Sequence, residues 1–179
     1  MDNFYYLVQN TLPVAVGLLL VALGGMFSER SGIINIALEG IMLFGAYAGC
    51  VFVYFIEKKG MSPQLIFILG MLVAAIAGLI FSLLLSLAAI NMKADQTIVG
   101  TALNMLVPAT VLLFSKFLFS ENSSSDGVST NTNFYIREVP ILSDIPVIGK
   151  LFFRNTYLSI YIGAILVIIV AIVLYKTTF

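Results

Sequence analysis

The sequence contains no histidine and a single cysteine, Cys50, among its 179 residues. One cysteine forms no internal disulfide and says nothing of redox compartment. Together with the missing histidine it argues against a transition-metal site. Charged residues make up only 10% of the chain, too few to build the polar shell of a soluble domain of this length. Nine basic and nine acidic residues cancel, so there is no electrostatic case for nucleic acid. Nor is there a Gly-rich phosphate loop, a Ser/His/Asp set or a metal-ligand spacing. No catalytic residue is expected, no cofactor is expected on this chain, and any ATP would be bound by other polypeptides. The N-terminus, Met1-Asp2-Asn3, lacks the basic region and small-residue cleavage site of a signal peptide. Residues 7–27 therefore read as a retained span.

What the chain does have is apolar length. Hydrophobic residues make up 60%, and the mean hydropathy is +1.07. Several runs reach ~20 residues, enough to cross a hydrocarbon core about 30 Å thick as helix. Helices satisfy their own backbone hydrogen bonds in lipid, whereas a membrane barrel would need short alternating strands. The expected fold is all-α, a polytopic membrane protein of about five transmembrane helices at 7–27, 33–56, 64–90, 97–119 and 156–175. Polar breaks at Ser28–Gly32, Glu57–Pro63 and Asn91–Gln96 separate the first four. The segment 121–155 opens as a polar loop and continues as Val139-Pro140-Ile141-Leu142-Ser143-Asp144-Ile145-Pro146-Val147-Ile148-Gly149. Its prolines argue against a spanning helix, so an ordered flap at the membrane surface is expected. The chain reads as one membrane domain, 1–179.

An ionisable group at the centre of a bilayer costs about 2.5–3.5 kcal/mol, so such residues face protein or a water-filled path. Glu29, Arg30, Asn35 and Glu39 crowd into one such stretch. On the second span Asn35, Glu39, Met42, Gly45, Ala46 and Gly49 fall at helical spacing on one face. Gly45 and Gly49 form a GxxxG pair that lets a neighbouring helix approach. Asn35 and Glu39 then line or brace a pathway, or they make buried hydrogen bonds that fix packing; residue type supports both readings equally. The fourth span carries Thr97, Gly100, Thr101, Asn104 and Pro108, and Pro108 should kink it or leave a carbonyl free. Just before it stand Asp95 and Gln96, with Asp95 placed to cap Thr97 or Ile98. A plain cap accounts for Asp95 as well as a role in transport does. In the third span Gly70, Ala74, Gly78, Ser82 and Ser86 form a four-residue row, read as structural packing.

Two segments resemble a known family. Glu29-Arg30-Ser31-Gly32-Ile33-Ile34-Asn35-Ile36-Ala37-Leu38-Glu39-Gly40 and Ala94-Asp95-Gln96-Thr97-Ile98-Val99-Gly100-Thr101-Ala102-Leu103-Asn104 are similar to segments of permease subunits of bacterial ABC importers. The nearest branch serves nucleosides and simple sugars and is related to the ribose and branched-chain amino acid permeases. The resemblance covers about residues 15–175, and Ile145–Gly149 fits it too. It implies a multi-pass protein of the bacterial cytoplasmic membrane that pairs with a second permease subunit. It also implies cytoplasmic ATPase subunits that drive alternating access, and an extracytoplasmic substrate-binding protein. By the same analogy the 29–40 and 94–104 segments lie near the centre of the permease. Candidates for the pathway or its bracing are Glu29, Asn35, Glu39, Asp95, Gln96, Thr101 and Asn104. Gly45, Gly49, Gly70, Ala74 and Gly78 are the helix-packing candidates.

The resemblance further implies that 121–155 is an extracytoplasmic loop and the N-terminus lies outside. Basic residues lean the other way: Lys58, Lys59, Arg137, Lys150 and Arg154 would then face outward. Two motifs outweigh that difference. Family members continue past the fifth span into a basic coupling segment and further spans, whereas this sequence stops at Phe179. The expectation is therefore the N-terminal portion of a longer permease. Rival expectations are an ion-coupled secondary carrier, which would use the same carboxylates, and a truncated membrane interaction protein that transports nothing.

Overall fold

The computed structural model describes residues 2–119, 134–138 and 154–176. Among them are five helices: α1 (Asp2–Arg30), α2 (Leu38–Glu57), α3 (Pro63–Ser86), α4 (Gln96–Phe119) and α5 (Leu158–Lys176). Two short strands, β1 (Tyr135–Glu138) and β2 (Arg154–Tyr157), precede α5. All five helices are long and apolar enough to cross a membrane. Large apolar side chains such as Leu79, Ile80, Leu112 and Ile168 are exposed. That surface suits lipid and would aggregate in water. The fold is all-α and transmembrane, as the run lengths require.

Helix edges differ from the hydropathy reading, and each difference has a local cause. α1 runs through Glu29 and Arg30 instead of stopping near 27. It ends where Ser31 N and Ile33 N donate to Ser28 O and Gly32 N donates to Glu29 O. Gly32 then takes φ +84°, a conformation that L side chains rarely adopt. α2 starts at Leu38 and not at 33, so Asn35 is not on its helical face. Asn35 Oδ1 instead accepts from Ala37 N at 3.1 Å, the local bond by which Asn competes with helix. At the far end of α3 one π-helical turn, Leu87–Asn91, continues the helix, and Lys93 follows with φ 52°.

Most of the expected flap, 121–155, lies outside the described residues, Pro140 and Pro146 included. β1 lies within it and β2 spans its end, and the two pair antiparallel, with Tyr135 opposite Tyr157, Ile136 opposite Thr156 and Glu138 opposite Arg154. This pairing takes Thr156 and Tyr157, so α5 begins two residues later than expected.

The chain divides into two compact units, residues 1–27 with 133–179, and residues 28–132. In the first, Gly163 of α5 packs on Val16 of α1 with Leu20 beside it. The fully buried Thr156 shares a hydrogen bond of 2.9 Å with the Tyr161 hydroxyl.

In the second unit α2 lies antiparallel on α3 through small residues. A Cβ on Gly45 would stand 2.8 Å from the Ala74 carbonyl oxygen, and one on Gly49 would stand 3.0 Å from that of Gly70. Gly70 in turn meets Val53, and Gly78 meets Ile41. Each step of four along α2 is thus answered by four in reverse along α3, so the two backbones touch along a row. Phe44 and Phe81 stack beside the row with ring centroids 4.7 Å apart. Close backbone approach of this kind maximises dispersion where lipid offers no hydrophobic driving force.

Candidate functional site

The polar segments of the sequence meet where α4 crosses the break between α1 and α2. Residues 33–35 have no regular structure, and α2 begins three residues later. Breaking a helix strands backbone donors and acceptors, each of which costs free energy if buried without a partner. Three residues of α4, spaced by four, close this gap. Gln96 Oε1 accepts from Ile34 N at 2.8 Å. Gly100 carries no side chain, and a Cβ there would stand 2.9 Å from Ile36 Cβ. Asn104 reaches across twice: its Nδ2 donates to Ile36 O at 2.8 Å, and its Oδ1 accepts from Gly40 N at 2.7 Å.

The amide of Asn104 therefore does the work that the next helical turn would have done. Gly40 is matched to it, because a Cβ at Gly40 would stand 2.9 Å from Asn104 Oδ1 and 3.2 Å from Leu103 O. Below this point α4 has its own gap. Pro108 has no N–H, so the Asn104 carbonyl lacks its intrahelical donor. α4 nonetheless runs unbroken through Pro108.

The other candidates lie around this crossing with different partners. Asp95 Oδ1 accepts from Thr97 N at 2.8 Å and from Ile98 N at 3.1 Å, capping α4. The Thr101 hydroxyl turns back on its own helix, to Thr97 O at 2.9 Å and Ile98 O at 3.0 Å. Ser28 does the same for the break, donating to Ile33 O at 2.8 Å. Glu39 sits exposed in the first turn of α2, and Glu29 is exposed in the last turn of α1. Of the expected α2 face, Gly45 and Gly49 are buried against α3, whereas Met42 and Ala46 are exposed. That face therefore does not act as one stripe.

Sequence reading did not single out Gly40 as a contact, nor the backbone of Ile34 and Ile36 as partners. The available signal was the spacing of Gln96, Gly100 and Asn104, an amide–glycine–amide row at one helical turn per step. Among the described residues no group of three His, Cys, Asp or Glu could hold a metal. An open depression of about 440 Å³ on α1 is lined by Tyr6, Leu7, Asn10, Thr11 and Val14. On it the Asn10 amide and the Thr11 hydroxyl donate back to Tyr6 O and Leu7 O.

The pattern of one protein family, described as branched-chain amino acid transport system / permease component, matches residues 7–179. Among curated proteins, a guanosine ABC transporter permease protein of Bacillus subtilis is 40% identical over 97% of this chain and 53% of its own length. A nucleoside ABC transporter permease protein of Lactococcus lactis is 36% identical over 99% of this chain and 54% of its own length. A putative glucose ABC transporter permease protein of Haloferax volcanii is 29% identical over 96% and 48% respectively. The chain spans about half the length of the curated relatives it matches. No solved structure matches it.

Proposed function

Because this chain belongs to the branched-chain amino acid transport permease family and has five helices long and apolar enough to cross a membrane, we propose that it is membrane-spanning permease sequence of an ATP-driven nucleoside importer. In this reading solute crosses by alternating access. ATP is hydrolysed on separate cytoplasmic ATPase subunits, a second permease subunit completes the path, and an extracytoplasmic binding protein delivers the substrate. The observation that carries it is the likeness, over nearly the whole chain, to two permeases named for guanosine and for nucleosides. The glucose permease is less similar, so simple sugars rank second.

The geometry supports a division of labour among the polar residues. Non-helical backbone at membrane depth is tolerated only where it is buried in protein or lines a water-filled cavity. Gln96 and Asn104 brace the break at 31–37, and Asp95 and Asn35 hold the local turns on either side of it. Glu39 has a carboxylate that is exposed in the first turn of α2. It is the strongest candidate to face the solute path, with Thr101 and Glu29 as further exposed polar groups. A nucleoside is neutral and rich in hydroxyl and ring-nitrogen groups, which suits amide and hydroxyl partners.

The test is uptake of tritiated guanosine by cells that carry the natural gene, compared with a deletion strain. The reading expects uptake to need the gene, to stop on ATP depletion and to survive a proton ionophore at constant ATP. Uptake that persists without ATP and collapses with the ionophore would establish a secondary carrier instead. Unchanged uptake in the deletion strain would remove the transport reading altogether.

A further inference from the structure

We propose that the end of the second unit where α2 and α4 finish is a seat for the headgroup of an anionic phospholipid. α2 and α4 run in the same direction: Gly40 meets Asn104 at one end, and Tyr54 meets Phe119 at the other, edge to face at 4.8 Å. Lys58 closes α2 and lies over the Tyr54 ring, its Nζ 5.1 Å from the centroid. At 1.5 Å per residue Lys58 stands roughly 27 Å along α2 from Gly40. That distance is close to the thickness of a hydrocarbon core, so the Lys58 end of α2 lies toward a membrane face.

Three cations stand at these two helix ends. Lys58 and Lys59 are exposed in the turn after α2, and Lys116 is exposed in the last turn of α4, one turn before Phe119. Glu57 is the one acidic side chain among the described residues of this end. At the opposite end Arg30 and Lys93 are accompanied by Glu29, Glu39 and Asp95, so charge there is offset. The aromatic ring orients Lys58 without neutralising it, which leaves the ammonium available to a phosphate. Phe55 and Phe117, 50% and 80% exposed, lie close in sequence to Lys58 and Lys116 and offer apolar surface for acyl chains. A free phosphate uses only the cations, whereas a phospholipid uses both.

This inference rests on the membrane placement of the helices and not on the transport reading, so the two fail separately. The experiment is native mass spectrometry of the natural full-length protein, released from nanodiscs of equal phosphatidylglycerol and phosphatidylcholine. Retained phosphatidylglycerol is expected to exceed phosphatidylcholine. K58Q/K59Q/K116Q should reduce that preference by about fivefold per lysine, whereas R30Q/K93Q should leave it unchanged. Circular dichroism would verify that both variants keep their helix content. An unchanged preference in the triple lysine variant overturns the proposal, and so does an equal loss in R30Q/K93Q. Displacement of the retained lipid by millimolar inorganic phosphate overturns it too, since the seat would then bind any free anion.

Discussion

α2 packs on two neighbours, and it does so by opposite means. Against α3 it removes side chains, so that Gly45 and Gly49 rest on the carbonyls of Ala74 and Gly70. Against α4 it is held by a side chain, the Asn104 amide, which bonds Ile36 O and Gly40 N. The first contact is pure surface fit between two complete helices, whose backbone groups are already paired. The second repairs a helix that is not complete. In lipid, where water cannot pair a stray N–H or C=O, a break must bring its own donor and acceptor. One face of α2 therefore fixes the scaffold, and the other holds the irregular segment in place.

The comparison predicts a ranking of substitutions by stability. Gly45→Leu should have the largest effect, because the obstacle is a backbone carbonyl that cannot rotate away. Overpacking of this kind costs about 1–3 kcal/mol and occasionally more. Resistance of the purified protein to unfolding in sodium dodecyl sulfate should fall accordingly. Gly78→Ala is the control: a Cβ there would stand 3.6 Å from Ile41 Cγ2, ordinary contact, and stability should not drop. Equal losses in the two variants would mean that glycine matters there for backbone freedom and not for close approach.

Asn104→Leu comes next. It leaves two backbone groups without partners, but interhelical hydrogen bonds in membranes average only about 0.6 kcal/mol, so a loss of about 1–2 kcal/mol is expected. Asn104→Asp separates the two bonds. Ionised or not, it keeps an acceptor for Gly40 N, and the ionised form loses the donor to Ile36 O. Under the importer proposal, guanosine uptake by cells carrying either variant of the natural gene should fall, with helix content retained. Normal uptake in Asn104→Leu would show that the break holds itself in place without α4.

The two faces of α2 also differ in how far the sequence discloses them. Gly45, Gly49, Gly70, Ala74 and Gly78 repeat every four residues, and a four-residue repeat is local information that survives any arrangement of the helices. The Asp95 cap is equally local, since its partners are two and three residues away. Asn104 is different. It stands in a readable polar row, but its partners are backbone groups more than sixty residues earlier, and backbone has no sequence signature. The break itself is masked by Ile33, Ile34 and Ile36, which continue the hydropathy of the span. It is created by Gly32 at φ +84° and by the Asn35 turn, and each of those residue types also occurs within helices. Strand pairing at Arg154–Tyr157 hides the start of α5 for the same reason, because its partner lies at 135–138.

Gln96→Leu tests the outer edge of the polar contact. It removes one bond, to Ile34 N, at the first residue of α4, where water is nearer than at Asn104. A loss of about 0.5–1 kcal/mol is expected, smaller than for Asn104→Leu. The difference sharpens the comparison, because it measures how the cost of an unpaired group grows along a single helix face. If Gln96→Leu were the more damaging of the two, the anchor of the break would be its entry at Ile34 and not the start of α2 at Gly40.

Glu39→Gln should change stability least. Its carboxylate is exposed and touches neither the glycine row nor the amide contact, so a change within about 0.5 kcal/mol is expected. Uptake is where it should register, because Gln keeps the size and an acceptor while removing the charge that a water-filled path can solvate. Under the importer proposal, guanosine uptake is expected to fall several-fold, with the unfolding midpoint in detergent unmoved. Destabilisation with normal uptake would reverse the assignment and make Glu39 part of the packing of α2 against a neighbour. The polar face of α2 would then brace structure along its whole length, and the path for solute would have to run along another helix.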